Sequence, residues 1–253
     1  LLDAIASLPP PLPPRDGGDG GALLAISLAR QWASSRGALR AALRRRVAQG
    51  QALVEALRVG RHPSRQELRA WGYADGALQL AFPQLVADTV TTHAPRLIDA
   101  STRHTAEVIR LLCQLDATPD PDDARAAALR RIREAHPDGR IVVFAEFAAT
   151  VSALYARLRS CAGMAMLTDR GGFVAGGRIT RQELLAQFAP DRRVATPAAE
   201  RVSMLITTDL LSEGVNLHDA NVVVHADLPW SPARFEQRVG RVRLLASRHA
   251  EVH

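Results

Sequence analysis

The chain has 253 residues, 47% of them hydrophobic and 23% charged, a balance ordinary for a globular protein of one large domain or two small ones. It carries a formal charge of +6 from 32 basic and 26 acidic residues, and since it contains no lysine every one of those 32 is arginine. This excludes the phosphate-binding loop G-x-x-x-x-G-K-[ST], whose lysine is a point charge on the β- and γ-phosphates. No run of about eighteen apolar residues offers a membrane span, and Cys113 and Cys161, the two cysteines, lack the spacing of a metal site or a disulfide framework.

An Asp-Glu dipeptide, the acidic pair of a Walker-B strand, is also absent. The arginine bias suits a GC-rich genome. The surplus positive charge still points to a polyanionic partner, because neutralising phosphates releases counterions. With no signal segment at the start, a cytoplasmic protein is expected, with no membrane partner.

Residues 8–21, LPPPLPPRDGGDGG, read as a spacer. From about 22 to 59 the pattern is helical: Leu39, Leu43 and Val47 fall at i, i+4 and i+8, and Leu53 and Leu57 continue it. Arg40, Arg44, Arg45 and Arg46 make one part of this stretch basic, either as a solvated face or as a surface that tracks phosphates. Residues 60–76 have turn chemistry at both ends and a short helical piece from Ser64. Val108, Leu111, Leu112 and Leu115 predict a helix over 102–115. The acidic, Pro-containing stretch 116–124 reads as a linker, dividing a mainly helical region, 1–121, from a second domain, 122–253.

After the linker, helices and strands alternate. A helix over 123–135 has Asp122 and Asp123 as its capping candidates. Strands are expected at 140–144, 164–167, 203–207 and 221–225, with a fifth beginning at 251–253. Between them fall a helix at 150–158 and one opened by the capping box Thr180–Glu183. Ser231-Pro232 opens the last helix, 231–243. The alternation predicts an α/β fold with a mostly parallel sheet covered by helices on both faces. Ligands of such sheets bind beyond the carboxyl ends of the strands. Glu146, Asp169, Asp209 and Asp227 follow the four strands on that one edge.

On the last helix, at about 100° per residue, Arg234, Gln237, Arg238 and Arg241 share one arc, and Phe235, Val239 and Val242 lie opposite. This predicts a fork of three guanidiniums and an amide facing outward, with the apolar side against the sheet. Guanidinium donors match phosphate oxygens bidentately, and Gly240 would let another group approach the fork. In ITTDLLSEGVNL (206–217) a strand end is followed by the turn Ser212-Glu213-Gly214. There the hydroxyls of Thr207 and Thr208, with backbone N–H groups, could hold phosphate oxygens without reading bases.

Taken together, LITTDLLSEGVNL, VVVHADLPWSP and RFEQRVGRV resemble motifs V and VI of superfamily 2 helicases in order and spacing. DLPWSP and SEGVNL are similar to the Swi/Snf-like, RapA-type branch of duplex-DNA translocases. RIVVFAEFAATVSAL resembles that family's motif IV, and residues 27–47 its helical segment between the two motor lobes. The resemblance implies a second RecA-like lobe whose partner, the first lobe of the same parent chain, carries the phosphate loop and holds Mg²⁺. The implied cofactor is ATP with Mg²⁺, and the implied substrate is duplex DNA, with RNA as the other candidate. By position, Arg241 and Arg238 match the motif VI arginines, Arg241 being the better arginine finger, and Gln237 matches the glutamine that positions the γ-phosphate. Glu213, Gly214 and Asn216 fall near the nucleotide, and Thr208, with Thr207, on the nucleic-acid backbone. No metal ligand is implied in this chain. One departure stands out: the family pattern has a further arginine where this chain has Leu244, with Arg243 just before it. A degenerate lobe that binds nucleic acid or protein without turnover is the alternative. A first residue that is Leu and an end inside a strand suggest a fragment of a longer protein.

Overall fold

The computed structural model describes residues 1–11, 20–61, 94–188, 201–209, 217 and 220–240. These fall into two compact units, Leu1–Ala33 with Leu39–Pro119, and Ser34–Ala38 with Asp120–His253. The expected short helix from Ser64, the fifth strand at 251–253 and the end of the last helix lie outside the described residues.

The first unit is helical. Helix α1 covers Leu2–Ala6, α2 Gly20–Ser34, α3 Arg36–Arg58 and α4 Ala94–Ala117. The stripe read from the sequence forms its core, where Leu39 and Leu43 pack with Leu24, Leu28, Val108, Leu111 and Leu115. The arginine run is no uniform solvated face. Arg46 is buried, and Arg40 is tied to Asp116 with Nε 3.1 Å from Oδ1. His104 on α4 is buried and bonds through Nδ1 to the Pro9 carbonyl at 2.6 Å. Burial lowers its pKa to about 4, opposed by the Pro9 bond and aided by the Arg46 charge.

The stretch expected as one helical run is broken at Ser35, and the break is built from hydrogen bonds. The Ser35 hydroxyl accepts from the Ala38 N–H at 2.8 Å, as an N-cap does for α3. The Asp122 carboxylate takes the two preceding donors, Arg36 N at 3.3 Å and Gly37 N at 3.0 Å. Asp122 is therefore not the cap of the helix it begins. That helix, α5 (Pro121–Ala135), is capped by Asp120, whose side chain accepts from Asp122 N at 3.0 Å with Pro121 at the first helical position. A proline's fixed φ starts the helix two residues earlier than the acidic pair suggested.

The second unit is a six-stranded sheet: β1 (Ile141–Ala145), β2 (Met164–Thr168), β3 (Gly171–Val174), β4 (Gly177–Ile179), β5 (Met204–Thr208) and β6 (Val222–His225). Their spatial order is β4-β3-β2-β5-β1-β6. The four strands expected from the sequence run parallel, with Val143 beside both Ile206 and Val224. The β3–β4 hairpin is antiparallel and makes the sheet mixed. Helices α5, α6 (Ala148–Leu158) and α7 (Arg181–Phe188) cover it. Alternation along the strands divides the core as period 2 requires. Ile141, Val143, Met204 and Ile206 pack with Ala126, Leu129, Val151 and Leu154 of α5 and α6. Val142, Phe144, Ala165 and Leu205 pack with Leu184 and Phe188 of α7. The α7 capping box forms as read: Thr180 N donates to Glu183 Oε2 at 2.9 Å, and Glu183 N to Thr180 Oγ1 at 3.2 Å. Among the described residues no helix is long and apolar enough to cross a membrane.

Candidate functional site

The carboxyl ends of β1, β5 and β6 lie side by side, because β1 pairs with both neighbours. Glu146, Asp209 and Asp227 therefore gather at one edge. Helix α8 (Pro232–Gly240) returns onto this edge after β6.

The helix meets the edge through Arg238. Its Nε donates to Asp209 Oδ1 at 2.5 Å and its Nη2 to Asp209 Oδ2 at 3.0 Å. Nη1 donates to the Asp227 carbonyl at 2.9 Å and faces His225 Nδ1 at 3.5 Å, while Nη2 lies 3.4 Å from Asp227 Oδ1. The guanidinium sits 5.8 Å from the Phe144 ring centre. Arg238 is 0% exposed. A buried guanidinium costs several kcal/mol in lost hydration unless it is paired and its donors are satisfied, and here two carboxylates and a carbonyl do both.

This departs from the outward fork read from the helical wheel. Arg234 and Gln237 are exposed, but Arg238 turns inward and is the residue that packs. Phe235, expected on the buried side, is 41% exposed and reaches the sheet only by stacking on His225, with ring centres 4.5 Å apart. Charge pairing outranks hydropathy here, because Asp209 and Asp227 at the strand ends would otherwise face a helix with no counter-charge. A Cβ at Gly240 would meet nothing within 4 Å among the described residues, so their packing does not require the glycine.

Asp227 is the centre of a second set of bonds. Its carboxylate accepts from Glu146 N at 3.0 and 2.9 Å and from the Ser34 hydroxyl. Arg234 Nη1 reaches to 3.8 Å from Glu146 Oε1. Burial lowers the pKa of the His225 ring, and the Arg238 charge adds to the effect against the pull of Asp209 and Asp227. The neutral ring can then accept from Arg238.

The threonines differ from each other. Thr207 is 0% exposed, and its hydroxyl is used inside the sheet, donating to the Leu167 carbonyl at 3.0 Å. It presents nothing to a ligand in this structure. Thr208, at the last position of β5, points to the opposite face by strand alternation. Its Oγ1 is buried with no hydrogen-bond partner among the described residues. Glu213, Gly214, Asn216, Arg241, Arg243 and Leu244 lie outside the described residues.

In the sequence Asp209, Asp227 and Glu146 are legible only as members of a polar edge, and nothing there marks a role for Ser34 or Thr150. A usable signal was present: two aspartates end strands that precede a helix rich in arginine and almost without acids.

The helicase conserved C-terminal domain family matches residues 124–244. The chain is 31% identical over 116 residues to an uncharacterized ATP-dependent helicase, YqhH, of Bacillus subtilis (strain 168), covering 46% of this chain and 18% of that protein. It is 30% identical over 126 residues to the RNA polymerase-associated protein RapA of Vibrio campbellii (strain ATCC BAA-1116), covering 49% of this chain and 12% of that one. The chain thus spans less than a fifth of the length of either relative. A solved structure of the C-terminal part of the Fun30 ATPase domain aligns with a TM-score of 0.41 at 17% identity, over 79% of this chain and 66% of that one. Residues 124–244, just under half of the chain, are thus similar to the helicase conserved C-terminal domain family and to the matching stretches of an ATP-dependent helicase and of RapA.

Proposed function

We propose that this chain is the second motor lobe of an ATP-dependent translocase acting on duplex DNA, and that it contributes one wall of a composite ATP site. The observation that carries the reading is the clamp of Arg238 by Asp209 and Asp227 at the carboxyl edge. It fixes α8 there with Gln237 exposed, and three residues after Arg238 the chain reaches Arg241. In this reading Arg241 is the arginine finger on the γ-phosphate and Gln237 helps position that group. Arg238 acts from behind, as the residue that holds the helix. ATP supplies a phosphoryl group whose developing charge a guanidinium stabilises. Glu213, Gly214 and Asn216 would line the nucleotide, and Thr208 the nucleic-acid backbone. The buried Thr208 hydroxyl at the sheet edge, without a partner among the described residues, supports an acceptor arriving there. Mg²⁺ and the phosphate loop are assigned to the first lobe, in keeping with the absence of lysine.

The test is ATP turnover by the 253-residue chain alone and by the longer parent. The chain alone is expected to show none, and the parent to show DNA-stimulated turnover. Turnover by the chain alone would contradict a shared site. Leu244, where the family pattern has arginine, favours a second reading, a lobe that binds nucleic acid without turnover. A parent that binds DNA but never hydrolyses ATP would fit that reading instead.

A further inference from the structure

A chain of hydroxyls runs behind the Arg238 clamp, and part of it lies outside the stretch that matches the helicase family. Ser34 Oγ and Thr150 Oγ1 are 2.7 Å apart, as are Thr150 Oγ1 and Ser35 Oγ. Ser34 Oγ also bonds to Asp227 Oδ2. All three hydroxyl residues are at most 1% exposed. The direction of every bond follows from what each group can donate. A carboxylate only accepts, so Ser34 gives its proton to Asp227. Thr150 must then donate to Ser34, and Ser35 to Thr150. The Ser35 oxygen is left to accept, and it takes the Ala38 backbone N–H at 2.8 Å. The result is one unidirectional chain, Ala38 to Ser35 to Thr150 to Ser34 to Asp227, with each hydroxyl polarised by the next.

Two further contacts hold the Ser34–Ala38 segment, one against α6 and one against α5. Gly37 approaches so closely that a Cβ there would stand 2.6 Å from the Ala153 Cβ. The Asp122 carboxylate receives the Arg36 and Gly37 N–H groups.

We propose that Ser34, Ser35 and Thr150 are positioning residues for the motor reaction: they aim the Asp227 carboxylate, which with Asp209 fixes the Arg238 guanidinium and so the register of α8. Asp227 Oδ1 faces Arg238 while Oδ2 takes Ser34, and both oxygens share the Glu146 N–H. Without the Ser34 donor the Glu146 N–H alone orients the carboxylate opposite Arg238, and its hold on the guanidinium loosens. A displacement of about 1 Å at a catalytic group can cost on the order of 10²-fold in rate. The catalytic consequence rests on the proposed function above, whereas the geometric claim does not.

The test pairs Thr150→Val, which removes the hydroxyl at nearly constant shape, with Thr150→Ser, which keeps it, and adds Ser34→Ala. In the 253-residue chain, arginine-selective ¹⁵N NMR reads the Arg238 Nε–H, assigned by its loss in Arg238→Lys. Thr150→Val and Ser34→Ala are expected to shift that resonance and speed its exchange with water, and Thr150→Ser to leave it as in the wild type. In the parent, the first two variants are expected to lower kcat by about 10-fold with KM for ATP changed less than about twofold, with Thr150→Ser restoring kcat. A folded Thr150→Val chain with an unchanged Arg238 signal overturns the proposal. So does a variant that loses thermal stability while keeping both that signal and kcat. If the wild-type parent hydrolyses no ATP, the motor reading fails by itself, and the NMR result alone decides whether the hydroxyl chain positions Arg238.

Discussion

Arg238 and Asp209 meet through two parallel hydrogen bonds, Nε to Oδ1 at 2.5 Å and Nη2 to Oδ2 at 3.0 Å, around a guanidinium that is 0% exposed. An arginine that the helical wheel sends outward thus spends its planar donor set on the sheet edge of its own unit. The pair joins the end of β5 to α8 and makes the helix a fixed platform on the carboxyl edge of the sheet.

Breaking that pair takes the two-bond partner from a buried charge and leaves it only the Asp227 carboxylate, 3.4 Å away. Asp209→Ala is expected to destabilise the second unit by roughly 3–5 kcal/mol. Urea unfolding of the chain, followed by circular dichroism, checks this, and a midpoint unchanged from wild type would show the bridge to be dispensable.

Crowding at Gly37 gives a cleaner packing test. Gly37→Ala places a Cβ 2.6 Å from the Ala153 Cβ, and overpacking of this kind costs about 1–3 kcal/mol. The double variant Gly37→Ala, Ala153→Gly is expected to recover part of that loss. Equal losses in the single and double variants would mean that the contact is not the cause.

The pH dependence of stability follows from His104. Its folded pKa of about 4 lies below the 6.5 of an ordinary histidine. Above pH 6.5 both folded and unfolded chains hold the neutral ring. As pH falls from 6.5 to 4, the unfolded chain takes up a proton that the folded one refuses, so stability drops by roughly 3 kcal/mol across that window. His225, also lowered, acts in the same direction. Denaturant titrations at pH 7 and pH 4.5 should show the fall in the wild type and a smaller one in His104→Gln. An equal fall in both would assign the effect elsewhere.

DNA affinity, in the functional reading, depends on phosphate contacts. With aromatics at 4% of the chain, base stacking is a poor mode. Binding of duplex DNA by the parent is expected to weaken steeply between about 50 and 200 mM salt. Fluorescence anisotropy over that range reads the slope, and an affinity indifferent to salt would argue against backbone tracking.

Much of the fold was legible because its parallel strands are short β-branched runs, such as Ile141–Phe144 and Val222–Val224, whose hydrophobic character needs burial on both sides. The β3–β4 hairpin was missed because its strands are short and glycine-rich. The Gly176-Gly177 pair between Phe173-Val174 and Arg178-Ile179 was the available turn signal. The break at Ser35 was hidden because the apolar stripe resumes on its far side, while the acceptor that helps cap α3, Asp122, lies 85 residues from Gly37. The site was legible as an arrangement of motifs but not as a packing. A helical wheel sorts side chains by polarity, and polarity alone sends Arg238 outward. Its inward turn depends on two aspartates that only the strand order β5-β1-β6 brings together.

In the proposed function Arg238 holds α8 so that Arg241 can serve a shared ATP site. The most direct measurement is DNA-stimulated ATP hydrolysis by the parent protein carrying Arg241→Ala, with folding verified by its melting temperature. A loss of kcat of about 10³-fold or more is expected, with the melting temperature near that of the wild type. Turnover within about twofold of the wild type would contradict it.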